Sequence, residues 1–216
     1  MSKAQPASTI ALAQPEQRRK LLEAALERIG ETGPRALTMQ AVARRAHLPL
    51  TVLEEHFSSQ EDLYLAIIEE GVAQFAEVLE SWVARGTGGL ERFHLAACGY
   101  VDFAQSYPQY FEAIFELPKP LRDQRPSEPK GMNAFGVMLR VLEQAQSEGD
   151  LPAGDPMVIV FPQWSLVHGI AKLAANETLH MPRERLLELT RRSAEQLTCG
   201  IMAGKESPES SRSKVF

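Results

Sequence analysis

The stretch from Thr38 to Phe57, TMQAVARRAHLPLTVLEEHF, holds two apolar helical periods separated by a proline and restricts the fold more than any other part of the chain. Met39, Val42, Ala43 and Ala46 recur at i, i+3, i+4 and i+7, so Thr38 reads as the N-cap of a short helix with one buried face. Pro49 fixes φ and lacks an N–H, which suits the first turn of a second helix and not the interior of the first. In that second helix Leu53 and Phe57 point inward at i and i+4, leaving Leu50, Thr51, Glu54, Glu55 and His56 outward. Two short helices joined by a tight turn make a helix-turn-helix, and its second helix is the one that enters a DNA major groove. The outward face of that helix carries two carboxylates and no Lys or Arg.

The chain has 216 residues, 44% of them hydrophobic, enough for a packed core in one domain or in a small domain joined to a larger one. A net charge of -5 argues against a generally basic nucleic-acid coat and leaves room for a local basic patch. Cys98 and Cys199 lie far apart, with neither metal-ligand spacing nor a disulfide framework, which predicts reduced thiols in a cytoplasmic protein with no metal or cofactor. No stretch reads as a membrane span, and residues 1–14 lack the apolar run of a secretory core and read as a flexible arm.

Helical periodicity accounts for the rest. A first helix should open near Pro15 and Glu16, bury Leu22, Ala25, Leu26 and Ile29, and stop at Gly33-Pro34. Ser58 and Glu61 stand at capping-box spacing before a long helix to about Ala84. Further helices are expected from Leu90 to Tyr107, from Gln109 to Leu117 and from Met132 to Ser147, the last burying Phe135, Met138, Leu139 and Leu142, with a proline-rich loop over 118–130. Pro162 should kink or restart the next helix, and Pro182 should open the last. No segment has strand period. The fold class is therefore all-α: a helix-turn-helix domain over 15–62, a helical ligand-binding and dimerisation domain over 63–204, and a disordered tail over 205–216.

Two readings stay open for the aromatic and polar residues of the second domain. His94, Cys98, Phe103, Phe111, Phe115, Met132, Phe135, Met138, Trp164 and His168 are either ordinary core or the lining of a cavity for a small apolar or aromatic effector. His94 and Cys98 are one helical turn apart, yet no general base or oxyanion donor set accompanies them, so the chain is not expected to be an enzyme. Leu186, Leu189, Thr190, Ser193 and Leu197 form a stripe which, with Gly169 and Ile170, predicts a two-helix homodimer face; burial within one chain is the alternative.

RRKLLEAALERIGETGPRALTMQAVARRA, then Leu53, Phe57 and SSQEDLYLAIIEE, resemble the DNA-binding domain of the tetracycline-repressor (TetR) family of bacterial regulators. PQYFEAIF and WSLVHGIAKL are similar to segments of the second domain in one branch of that family. The resemblance implies a homodimer whose two recognition helices read a pseudo-palindromic operator in double-stranded DNA, most often as a repressor, with a small molecule shifting their spacing. Where the family usually has Ser-Lys or Ser-Arg this chain has Pro49-Leu50-Thr51, and where it has a lysine before the next helix this chain has Gln60. Candidate phosphate contacts are then Arg18, Arg19, Lys20, Arg44 and Arg45, with Thr38, Pro49, His56 and Gln60 at the same surface. Leu50 and Thr51 would meet thymine methyls, and Glu54 or Glu55 would accept from cytosine N4. Between Glu16 and Asp62 seven Lys and Arg stand against eight carboxylates, a net of -1. That balance keeps an alternative open, a TetR-like fold with weakened DNA binding that serves as a small-molecule-binding or protein-interaction module.

Overall fold

A computed structural model of the chain describes residues 7–116, 134–175 and 178–203. Among them are the helices α1 (Ala7–Thr32), α2 (Met39–Arg45), α3 (Leu50–His56), α4 (Gln60–Val83), α5 (Gly89–Ser106), α6 (Pro108–Phe115), α7 (Ala134–Ser147), α8 (Met157–Ala175) and α9 (Arg183–Ala203), with a 3-10 turn at Pro34–Ala36 and no strand. They form two compact units. The first takes α1 to α3, α4 as far as Gly71, and α6; the second takes α4 from Val72, α5, and α7 to α9.

The first unit closes around Leu21, Ala25, Ile29, Val42, Leu53 and Phe57, all buried. α1 begins at Ala7, eight residues before the expected start, and carries Pro15 in its interior. A proline inside a helix removes one N–H donor, and the Ala- and Gln-rich turns on either side have the propensity to continue regardless. The cap of α4 also differs by one residue from the expected pair. The Ser59 hydroxyl accepts from the Asp62 N–H at 3.1 Å, and the Asp62 carboxylate accepts from the Ser58 N–H at 2.9 Å. A carboxylate one methylene shorter than Glu61 reaches back without folding over itself, which selects Asp62. α6 seats on two glycines of this unit: a Cβ at Gly71 would lie 2.8 Å from the Tyr110 ring, and one at Gly30 3.1 Å from the Gln109 side chain.

In the second unit α5 is the central helix, buried along nearly its whole length and covered by α7, α8 and α9. Phe75 of α4 stacks on Phe103 at 4.4 Å between centroids and meets Tyr100 edge-on at 5.1 Å. α7 buries Val137, Met138, Val141, Leu142 and Ala145, so its inner face is turned from the expected one and Phe135 is exposed. Apolar residues flank this stripe on both sides, so two phases fit the period, and packing selects the one that buries Val137 and Val141 in place of Phe135 and Leu139. Pro162 neither ends nor restarts α8, which runs unbroken through it. α8 is also long and apolar enough to cross a membrane, contrary to the sequence reading. It packs against α5 and α9 with Gln163, Val167 and Ala171 inside, which buries a third of that apolar stretch.

Candidate nucleic-acid interface

Thr38 caps α2 as its sequence position indicates, its hydroxyl accepting from the Ala41 N–H at 3.3 Å. α2 then ends at Ala46, and the chain turns through His47, a non-glycine residue at φ 54, before Pro49 starts α3. Leu53 is buried, whereas Thr51, Glu54 and Glu55 are exposed and Leu50 is half-buried. His56 leaves this face: its Nε2 lies 3.4 Å from Gln17 Oε1 of α1. The surface that α3 presents is therefore short, apolar at one end and acidic at the other.

Most of the cations around it already have partners. Arg45 bonds Glu27 at 2.6 Å and Glu31 at 2.7 Å, Arg28 bonds Glu31 at 2.8 Å, and Arg19 pairs with both Glu16 and Glu23. These pairs hold Glu16 and Glu31 below the usual carboxylate range, first through hydrogen bonds from Arg19 and Arg45 respectively. Lys20 lies 3.8 Å from Glu16. Arg18 sits over the Phe57 ring and 3.4 Å from Glu70, which also accepts from the Tyr110 hydroxyl at 3.1 Å. Arg18 and Arg19 thus line a surface groove of about 450 Å³ with Pro15, Leu22 and Tyr110. Arg44 and Gln60 are exposed. Exposed ion pairs of this kind are worth little and exchange readily, so phosphates can compete for the guanidinium groups.

The residues proposed for an effector fall in both units. Phe111 and Phe115 pack on each other in the first, at 4.8 Å between centroids. In the second, Tyr100 Oη lies 2.9 Å from His168 Nδ1 and accepts from Trp164 Nε1 at 3.2 Å, beside the buried Phe103. His94 is buried with its Nε2 2.9 Å from Thr198 Oγ1, and burial pulls its imidazole below the ordinary value. Burial pushes the Cys98 thiol up to about 11. Met138 is buried, Phe135 is exposed, and Met132 lies outside the described residues. The sequence reading passed over two buried polar groups here. Gln163 donates from Nε2 to the Phe93 carbonyl at 3.3 Å, and its Oε1 is buried without a hydrogen-bond partner. Asp102 accepts from two other helices. Gln and Asp among apolar residues on helices read as core would have been the sign. Among the described residues no group of three or more His, Cys, Asp or Glu could hold a metal ion.

The stripe read as a dimer face divides in two. Leu186 and Thr190 turn inward with Leu187, Ala194 and Thr198, and Ile170 is buried. The inward half is therefore intramolecular, because a helix with apolar residues at both i+3 and i+4 offers two faces. Leu189 is exposed, and Ser193, Leu197 and Gly169 are half-buried.

The model of the bacterial regulatory proteins of the tetR family matches residues 21–67, the unit that holds α2 and α3, and a tetracyclin repressor-like C-terminal domain model matches residues 93–197. The chain belongs to the TetR family. It has the all-α fold of that family, with the capped two-helix turn of α2 and α3 inside the segment matched by the N-terminal model. Among relatives, the HTH-type transcriptional activator FasR of Mycolicibacterium smegmatis is 33% identical over 101 residues, 47% of this chain and 46% of that protein. The match thus spans about half the length of the curated relative. A structure of a protein of unknown function from Rhodococcus sp. RHA1 has a TM-score of 0.67 at 24% identity and covers 85% of this TetR-family chain and 94% of its own. The regulator FadR from Bacillus subtilis, solved in complex with stearoyl-CoA, has a TM-score of 0.68 at 17% identity over 85% and 98%. At these identities the structural likeness is one of fold.

Proposed function

We propose that the chain acts in the cytoplasm as a homodimer that represses transcription from a pseudo-palindromic operator and is released by an apolar, acyl-chain effector. The single observation that carries the DNA-binding part is the capped two-helix turn of Thr38 to Phe57 inside the segment matched by the family model. α3 would read bases through Leu50 and Thr51 on thymine methyls and through Glu54 or Glu55 on cytosine N4, while Arg44 and the exchangeable Arg18, Arg19, Lys20 and Arg45 hold phosphates. The dimer part is supported by the apolar residues left exposed on α8 and α9, among them Phe161 at 56% and Leu189 at 39%. The effector part is supported by the stearoyl-CoA in the FadR relative and by the aromatic cluster of Phe103, Tyr100, Trp164 and His168.

Selection from genomic fragments, followed by salt-titrated fluorescence anisotropy on the recovered DNA with and without stearoyl-CoA, tests the whole reading. Specific binding that weakens with the ligand supports it. Absence of any specific complex at low salt would instead favour the second reading, a module whose acidic α3 meets a basic protein. That second reading draws on the self-paired cations of the first unit and the exposed Glu54 and Glu55. Changing Glu54 and Glu55 to Gln should raise non-specific DNA affinity under either reading and erase operator discrimination only under the first.

A further inference from the structure

Asp102 is a buried carboxylate of α5, only 7% exposed, with donors arriving from both sides. From α4, Trp82 donates its indole N–H to Oδ2 at 2.8 Å. From the first residue of α9, Arg183 donates Nε to Oδ1 at 2.9 Å and Nη2 to the same oxygen at 2.5 Å. The Ser106 hydroxyl approaches Oδ1 at 3.4 Å. The indole is itself held. It lies against Gly99, where a Cβ would stand 3.2 Å from its Cβ and Cδ1, and the Arg85 guanidinium covers the ring at 4.1 Å. One oxygen of one carboxylate therefore serves α4 and the other serves α9. Moving α9 away would strip the carboxylate of its counter-charge, and moving α4 away would leave buried Oδ2 without its donor, so a shift of either helix alone carries a cost. α4 is also the helix whose first half belongs to the DNA-binding unit.

We propose that Asp102 is the positioning residue that locks the second half of α4 to the helix presenting the dimer face, and that operator affinity of the dimer depends on this carboxylate. The proposal rests on the homodimer reading above. It assigns the role to a group that touches neither DNA nor effector and explains why a charge is kept in this core, where a hydrophobic residue of similar size would pack at no electrostatic cost.

The test compares wild type with Asp102→Asn, Trp82→Phe, Arg183→Lys and the Trp82→Phe, Arg183→Lys double variant, at a temperature where circular dichroism shows each to be folded. Asn keeps the volume and turns an N–H₂ toward one of the two donors, so it must break one side. Sedimentation gives the mass, and anisotropy gives the affinity for the recovered operator fragment and for a scrambled duplex. Asp102→Asn and each single variant should weaken operator binding on the order of tenfold, the size of an ordinary coupling between sites, with scrambled-duplex binding and dimer mass unchanged. The double variant should lose no more than the worse single one, because both act through one carboxylate. Unchanged operator affinity in folded, dimeric variants overturns the proposal and leaves Asp102 a stabilising group only. Additive losses in the double variant also overturn it. A monomeric wild-type chain overturns the dimer reading first, and this proposal with it.

Discussion

His47 turns between the two helices of the DNA-binding motif at φ 54, where a Cβ crowds the following carbonyl and glycine does not. His47→Gly should therefore gain up to about 1 kcal/mol, the relief of strain less the entropy of glycine, seen as a higher urea midpoint at unchanged slope. His47→Val should lose about 1 kcal/mol by the same assay, because branching at Cβ adds to the crowding. His94 has a different kind of cost. Burial depresses its folded pKa below the ordinary 6.5, so near and below that pH the unfolded chain binds more protons than the folded one. Stability should be intact above pH 6.5 and fall as the pH drops from there through the folded pKa, and His94→Gln should flatten that acid limb in melts taken between pH 7.5 and 5. The two cysteines divide in the same way: a thiol-specific maleimide at pH 8 should label exposed Cys199 and spare Cys98, whose buried thiol stays protonated. None of these states was legible in the residues themselves. Nothing next to His47 in the chain marks its positive φ, and His94 and Cys98 pair as candidates because they lie four apart, which says nothing about depth.

Elements followed from sequence far better, and their failures have local causes. Thr38, Pro49 and Pro182 mark helix starts because a cap side chain or a missing N–H acts within one turn, and the structure keeps those boundaries. The same proline chemistry misled at Pro15 and Pro162. Both sit inside helices, where propensity or packing on neighbours offsets the one lost hydrogen bond. Gly86, Gly88 and Gly89 follow the expected end of α4, where glycine suits a helix stop. Gly89 is instead the point where α5 crosses α7: a Cβ there would lie 2.4 Å from the amide nitrogen of Ala145 and 2.6 Å from its Cα. Gly89→Ala should force two backbones apart and cost at least about 1–3 kcal/mol, the range of an overpacked core, read as a lowered thermal midpoint. Gly88→Ala, whose Cβ would meet only a Glu148 oxygen at 3.6 Å, is the matched control and should change little.

On the scale of the whole molecule, the exposed apolar residues of α8 and α9 ask for a cover. Val158 is 66% exposed and Phe161 56%, close together on α8. For the proposed homodimer, Phe161→Asp should leave the melting transition within a few degrees of wild type, give a monomer mass in sedimentation, and abolish binding to an operator with two half-sites. Sequence by itself determined that the chain is all-helical, that Thr38 to Phe57 forms a helix-turn-helix, and that its outer face is acidic. Each of these depends on residues within a few turns of one another, where period, capping and proline chemistry act directly. Only the tertiary structure decided that α6 packs with the DNA-binding unit, that Arg45 is held between Glu27 and Glu31, which half of the last helical stripe is buried, and that Trp82, Asp102 and Arg183 meet. Those are encounters between residues from 14 to 81 positions apart. They depend on how helices pack, which no local pattern of apolar and polar residues encodes.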